Sequence, residues 1–259
     1  MSDLNPIAPR CTPCKCCGQP AKIFGVVDFF QACTAERPDP KLGWSGIPIY
    51  YHSCPSCGFL FTTAFDQFSP ADLKRWVYND QYAQIDPDYF EIRPEKNVNT
   101  VMSYFAPFAQ TLRVLDYGGG NGALARKLRE HGFTNVESYD PIVPEFSQKP
   151  HGQFDLVFCF EVLEHTTNPA GIFDDMAHFI KPDGMAVFTT LVLPAHFQQI
   201  GLRWFYIAPR NGHISIFSVE SLRILATKRD LRYFPNENTH SVFRTVPPFA
   251  RHIFGDDPR

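Results

Sequence analysis

The 259-residue sequence has no basic surplus: 24 Lys and Arg stand against 27 Asp and Glu, for a formal net charge of −3. Without such a surplus a chain cannot gain much by displacing counterions from a phosphate backbone, so nucleic acid is a disfavoured partner. It has no run approaching the ~20 consecutive apolar residues that cross a bilayer. Its first ten residues, MSDLNPIAPR, hold no apolar core of a secretory signal. The expectation is a cytoplasmic protein without a membrane span. Cysteine is scarce over most of the chain, because seven of the eight lie before residue 60 and only Cys159 lies beyond. In a reducing compartment that clustering points to metal rather than to disulfides. With 44% hydrophobic and 20% charged residues, the chain is too apolar to be disordered. Its length suits one sizeable α/β core with a small appendage.

No internal repeat is present, and the organisation shifts twice. Residues 1–65 are rich in Cys, Pro and Gly, with strand-like pieces over 47–52 and 59–62, and read as a small metal-binding module. Residues 66–112 read as a helical connector or cap. Ser69-Pro70 opens one of its helices, and Pro94 opens another whose Val98, Val101, Met102 and Phe105 share a face. Between them runs an aromatic loop, 78–89. From residue 113 to 259 strand and helix patterns alternate, which predicts a mostly parallel sheet with helices on its faces. Strands are expected over 112–115, 136–139, 156–160 and 185–190, and helices over 122–131, 169–180 and 218–228. A turn at Lys181-Pro182-Asp183-Gly184 and a closing strand pair over 231–234 and 242–245 complete the pattern.

Two Cys-x-x-Cys-Gly units, Cys14 to Gly18 and Cys54 to Gly58, are separated by 36 residues. Each such turn can aim two thiolates at one ion, and four thiolates close a tetrahedral zinc site with no position left for water, so the metal is expected to be structural. The gap exceeds the ~15–20 residues of a compact ribbon, so the inserted chain must loop out. Cys11 and Cys14 form an alternative pair; the glycine after Cys17 favours Cys14 with Cys17. Cys33 reads as packing.

The segment Asp116-Tyr117-Gly118-Gly119-Gly120-Asn121-Gly122 follows a strand and opens a helix, where backbone can approach a cofactor. Gly118, Gly120 and Ala123 also satisfy a dinucleotide fingerprint. Asp116 argues against a nicotinamide cofactor, since a carboxylate there would repel a pyrophosphate; it favours a ligand carrying an ammonium and a sulfonium, as S-adenosylmethionine does. Asp140, 24 residues after Asp116 at the end of the next strand, is placed to accept hydrogen bonds from ribose hydroxyls. A third apolar strand, 154–160, runs directly into Glu161-Val162-Leu163-Glu164-His165.

These three motifs and the Lys181 to Gly184 turn resemble, over roughly residues 95–245, the class I S-adenosylmethionine-dependent methyltransferases. The fold the resemblance implies is a Rossmann-like seven-stranded α/β sheet, here with a zinc-ribbon-like N-terminal module. It also implies that Gly118, Gly120 and Gly122 surround the methionine part of the cofactor, that Asp116 lies by its amino group, that Asp140 holds the ribose, and that Glu161 belongs to the same pocket. The cysteine module, the tyrosine-rich connector and the segment His213-Ile-Ser-Ile-Phe-Ser218 together are similar to the zinc-containing sugar C-methyltransferases. That family implies His213 as base, with His165 and Tyr82 nearby. Its acid before the base is Gly212 here, and its further C-terminal domain has no counterpart in this chain, so O-methylation of a sugar or other hydroxyl compound stands beside C-methylation. His131, His151 and His178 read as surface residues, and Trp204-Phe205-Tyr206 as a pocket wall or core. The acceptor expected is a small molecule, a sugar or glycan. The alternatives are a macromolecular methyltransferase gripping protein or RNA through the zinc module, and a binding protein that has lost catalysis.

Overall fold

The computed structural model describes residues 11–34, 41–89 and 92–256. Its N-terminal part is built on four strands, β1 (Thr12–Pro13), β2 (Pro20–Asp28), β3 (Pro48–Ser53) and β4 (Leu60–Thr62), followed by the short helices α1 (Pro70–Trp76) and α2 (Tyr82–Ile85). Ser69 caps α1 through a reciprocal bond pair with Asp72, and Pro70 stands in its first turn, as the Ser-Pro signal predicts. Helix α3 (Ile92–Phe105) begins two residues ahead of Pro94 and buries Val98, Val101 and Phe105 on one face.

Then come β5 (Arg113–Tyr117), α4 (Ala123–Glu130), β6 (Asn135–Tyr139), β7 (Phe154–Phe160), α5 (Pro169–Phe179), β8 (Ile180–Thr189), α6 (Phe197–Ile200), β9 (Ser215–Ile216), α7 (Val219–Thr227), β10 (Arg232–Asn236), β11 (Thr239–Phe243) and α8 (Arg251–Phe254). The larger sheet has the order β10-β11-β8-β7-β5-β6. Strands β6, β5, β7 and β8 run parallel, while β11 pairs antiparallel with β8 and β10 antiparallel with β11. Strand β7 is buried almost throughout, which fits a parallel strand covered on both faces. On one face, α3 and α4 pack Val98, Val101, Leu124 and Leu128 against Val114 and Phe158. On the other, Phe173, Met176, Leu222 and Leu225 of α5 and α7 pack against Leu115 and Val157.

Three expectations need correction. Among the described residues the sheet has six strands, not seven. The stretch 141–153 beyond β6 forms only a 3-10 turn over Pro144–Phe146 and adds no outer strand. Pro141, Pro144 and Pro150 lack the amide hydrogens that such a strand would donate. The Lys181 to Gly184 turn lies within β8 as a bulge: Phe154 pairs with Ile180 and Leu156 already pairs with Met185. Gly184 is needed there, because a Cβ would sit 2.8 Å from the carbonyl oxygens of Phe154 and Asp155. Finally, the N-terminal strands do not close on themselves: their antiparallel sheet, β1-β2-β3-β4-β9, is completed by β9 from far along the chain. No helix among the described residues is long and apolar enough to cross a membrane.

Candidate functional site

A cavity of about 580 Å³ opens over the carboxyl ends of β5, β6 and β7, the crevice where open α/β sheets bind ligands. Its floor is the glycine loop. Gly118 and Gly120 have φ of +71° and +55°, and a Cβ on Gly118 would lie 2.4 Å from Val162 Cγ2. Gly119 has ordinary backbone, yet a Cβ there would meet Asp116 Oδ2 at 2.5 Å and Ser138 Oγ at 2.4 Å. Gly118 and Gly120 line the cavity. Gly122 does not: it sits at the N-terminus of α4 with φ +71°, and Phe146 occupies the space a Cβ would take.

Asp116 is 2% exposed. Burial pushes its carboxyl up to about 7, against the pull of the Ala125 amide and the Ser138 hydroxyl. No cation is bonded to it among the described residues, so it favours a ligand that brings one. Asp140 lines the same cavity and anchors two loops, with Oδ2 accepting from the Gly120 amide (3.0 Å) and Oδ1 from the amides of Ile142 (2.9 Å) and Val143 (3.3 Å). A carboxylate has about four acceptor positions, so it can still accept from ligand hydroxyls.

Glu161, at the end of β7, has φ +56°, a strained conformation for a residue with a Cβ. The Thr189 hydroxyl donates to its Oε1, and Arg93 Nε lies 3.4 Å from Oε2. Arg93 also makes a two-pronged pair with Asp86, tying α3 to the wall of the cavity. Sequence reasoning missed this arginine, whose only local signal is its place at the start of an amphipathic helix.

The opposite wall is aromatic: Tyr78, Tyr82 and Tyr89 line the cavity, with ring centroids 5.1 Å apart for the first two and 5.4 Å for the last two. His165 joins them. His213 packs behind it, their ring centroids 5.0 Å apart, but does not line the cavity. Burial lowers the His213 ring to about 4 and holds His165 well below its usual value, so both imidazoles are neutral near pH 7. Glu164, on the same turn as His165, is fully buried. Burial pushes its carboxyl up to about 8. Trp204, Phe205 and Tyr206 are not cavity wall: Trp204 and Tyr206 belong to an interior aromatic cluster and Phe205 points outward. His131, His151 and His178 are exposed.

Cys14, Cys17, Cys54 and Cys57 converge, every sulfur within 4.8 Å of the others. Cys14 lies 3.6 Å from Cys57 and Cys17 3.5 Å from Cys54. Four sulfurs about 2.3 Å from one zinc would stand about 3.8 Å apart, so this set fits that ion. The two turns are built alike. The Gly18 and Gly58 amides donate to the carbonyls of Cys14 and Cys54, and the Cys14 and Cys54 amides donate to those of Gln19 and Phe59. Both glycines have positive φ, which the turn requires. Ser218 Oγ donates to the Cys57 carbonyl and Lys228 Nζ to that of Cys16, fastening both ends of α7 to these turns. Cys16 is buried outside the cluster, Cys11 is exposed, and Cys33 Sγ lies 3.5 Å from His213 Nδ1.

A protein-family model described as a methyltransferase domain matches residues 89–234. The ubiquinone biosynthesis O-methyltransferase of Escherichia coli O157:H7 (strain EC4115 / EHEC) is 30% identical over 128 residues, 39% of this chain and 53% of that one. Its counterpart from Escherichia coli O9:H4 (strain HS) is 30% identical over 185 residues, 61% of this chain and 68% of that one. The chain spans about half the length of most of the curated relatives it matches. Among solved structures, an O-methyltransferase family protein from Burkholderia thailandensis has a TM-score of 0.49 at 13% identity, covering 68% of this chain and 62% of that one. A magnesium protoporphyrin IX methyltransferase from Synechocystis PCC 6803 has a TM-score of 0.48 at 14% identity, covering 70% and 97%.

Proposed function

The chain belongs to the methyltransferase-domain family, and from that premise we propose that it transfers a methyl group from S-adenosylmethionine to a hydroxylated small molecule, a sugar or glycan. The observation that carries this reading is the buried, unpaired Asp116 beneath the Gly118 to Gly120 loop, with Asp140 on the same cavity. A ligand with an ammonium by Asp116 and ribose hydroxyls by Asp140 satisfies both acids, whereas a pyrophosphate satisfies neither. The close approaches at Gly118 and Gly119 leave no room for side chains where such a ligand must lie.

When bound, the cofactor supplies an electrophilic methyl group on a sulfonium. The chain's own contribution is to position the acceptor in line with that methyl and to keep water out. Tyr78, Tyr82 and Tyr89 form the wall that does so, and their faces suit a cationic ligand. The acceptor oxygen is served by the group Glu164, His165 and His213, of which His165 reaches the cavity, with Tyr82 beside it through Tyr78. The relatives named O-methyltransferases support transfer to oxygen. Zinc held by Cys14, Cys17, Cys54 and Cys57 would be structural, since four thiolates leave no open position.

Calorimetric titration with S-adenosylmethionine tests the cofactor assignment. Binding by the wild type that weakens at least about tenfold in Asp140→Ala supports it, and equal affinity in the variant removes the ribose contact. Labelled transfer to a panel of nucleotide-sugars, glycans and phenols then tests the acceptor class. Cofactor binding with transfer to the phenols alone would overturn the sugar assignment.

A further inference from the structure

The cavity has a floor and a roof that are built differently. The floor, the glycine loop between β5 and α4, belongs to the sheet core, with Leu115 and Ala125 fully buried on either side of it. The roof is the run 79–89, which carries α2 and the 3-10 turn Pro87–Tyr89. Of its residues only Tyr82 and Asp86 are buried. Yet it reaches the floor, because the Tyr89 hydroxyl stands 3.0 Å from the place of a Cβ on Gly120. A ligand on the loop lies between the two, and the roof, with few buried side chains, is the part that can yield.

Two arginines hold the roof from opposite ends. At its start Arg210, only 1% exposed, donates through Nη2 to Asn79 Oδ1 at 2.9 Å and through Nη1 to the Val77 carbonyl at 2.7 Å. Charge-assisted bonds from so buried a group make this end a fixed hinge. The middle rests on Tyr82, whose hydroxyl lies 3.4 Å from both Asp86 Oδ2 and the Asn211 carbonyl. At the far end Arg93 grips both oxygens of Asp86, at 2.9 and 3.0 Å. Its Nε lies 3.4 Å from Glu161 Oε2, with side chains 29% and 33% exposed. Among the described residues this is the ion pair that joins the far end of the roof to the sheet. Lys96 and Asp88, 3.8 Å apart and more exposed, join it only to α3, and such a pair contributes little. Glu161 is itself pinned: the Thr189 hydroxyl donates to its Oε1 at 2.9 Å and accepts from its amide at 3.0 Å, holding a backbone with φ +56°. Strain retained at such a position points to a role.

We propose that Arg93 is a positioning residue that latches the aromatic roof over the bound cofactor, holding Asp86 against Glu161. While the latch holds, Tyr78, Tyr82 and Tyr89 stay at one height above the glycine loop. When the Arg93–Glu161 contact parts, the roof turns about Asn79 and the cleft opens for cofactor entry and release. The arrangement needs a guanidinium, whose fork fills Asp86 while Nε remains for Glu161; an ammonium is a point charge and cannot grip both in this way. The inference rests on the proposed function in naming S-adenosylmethionine as the enclosed ligand.

The test follows the dissociation of labelled S-adenosylmethionine from the full-length, zinc-loaded protein after dilution into unlabelled cofactor. Arg93→Gln should speed it about tenfold, the order expected of one forked, partly exposed ion pair, with association no slower. Arg93→Lys should resemble Arg93→Gln, and Lys96→Gln should match the wild type. In Arg93→Ala, added methylguanidinium should slow dissociation again in a saturable way and methylammonium should not; damage to the fold alone responds to neither. Dissociation unchanged in Arg93→Gln, or accelerated in Arg93→Ala and indifferent to methylguanidinium, overturns the assignment. If the wild type binds no S-adenosylmethionine, the proposed function fails separately, and the latch is read in the ligand-free protein by hydrogen exchange. The Asp86 and Tyr89 amides, which donate to the carbonyls of Tyr82 and Asp86, should then exchange faster in Arg93→Ala and recover with methylguanidinium. Equal exchange in variant and wild type overturns the latch.

Discussion

Replacing Asp116 by Asn should make the ligand-free protein more stable and the cofactor-bound form weaker, a pairing that ordinary core damage does not produce. Asp116 is buried without a bonded cation, and its carboxyl is carried from its usual 3.8 up to about 7. A group raised in this way stabilises the fold only where it keeps its proton. Below about pH 3.8 folded and unfolded chains both hold it; between there and about pH 7 the unfolded chain releases it and the folded chain does not, so stability falls as pH rises; above about pH 7 the loss is complete. The interval corresponds to about 4 kcal/mol at 1.36 kcal/mol per tenfold change. Relaxation around a buried charge lowers such figures, so about 2–4 kcal/mol is expected, or roughly 5–15 °C in melting temperature for a chain of this size. Differential scanning fluorimetry of both proteins from pH 4 to pH 8 should show the variant's advantage growing toward pH 7 and then levelling. Calorimetry at pH 8 should show S-adenosylmethionine affinity down at least about tenfold, or ~1.4 kcal/mol. A lower melting temperature for Asp116→Asn at pH 8, or an advantage independent of pH, would refute the reasoning.

Gly119→Ala brings a Cβ to 2.5 Å from Asp116 Oδ2 and 2.4 Å from Ser138 Oγ; at a cost of about 1–3 kcal/mol in stability it should displace the carboxylate, and unchanged cofactor affinity by calorimetry would separate Asp116 from binding. Cys54→Ser should lower bound zinc and melting temperature together, and full zinc occupancy by elemental analysis would move the site to other ligands. Ser218 both caps α7 and donates to the Cys57 carbonyl, so Ser218→Ala should cost about 1–2 kcal/mol by chemical denaturation and loosen zinc retention against a chelator; a loss below about 0.5 kcal/mol would show that neither bond matters.

Much of the fold could be read in the order of residues, because it rests on short-range rules. A buried strand carrying Asp116 near its end, glycines where the backbone must turn left-handed, and a helix opening at Ala123 are local features, and each recurs within a residue or two of its expected place. The same holds for the paired Cys-x-x-Cys-Gly turns, whose geometry is set by the hydrogen bonds of a few consecutive residues. The missing outer strand was less legible, since the resemblance implied seven strands while the prolines after Asp140 withheld the donors for one of them.

What the chain order could not disclose is which side chains meet across long separations. Glu164 becomes fully buried only because Tyr206 and the segment before β9, more than 40 residues further along the chain, close over it. Trp204 and Tyr206 read equally as pocket wall or core and pack inside, where Tyr206 supports Glu164 and His213, while Phe205 between them points outward. Arg93 acquires its place by pairing with Asp86 and Glu161, from two different elements. Local periodicity and turn chemistry therefore suffice for the glycine loop and the thiolate pairs, whose partners lie a few residues apart. The cluster of Glu164, His165 and His213 exists only in three dimensions, because desolvation and hydrogen-bond partners there come from segments some 50 residues distant.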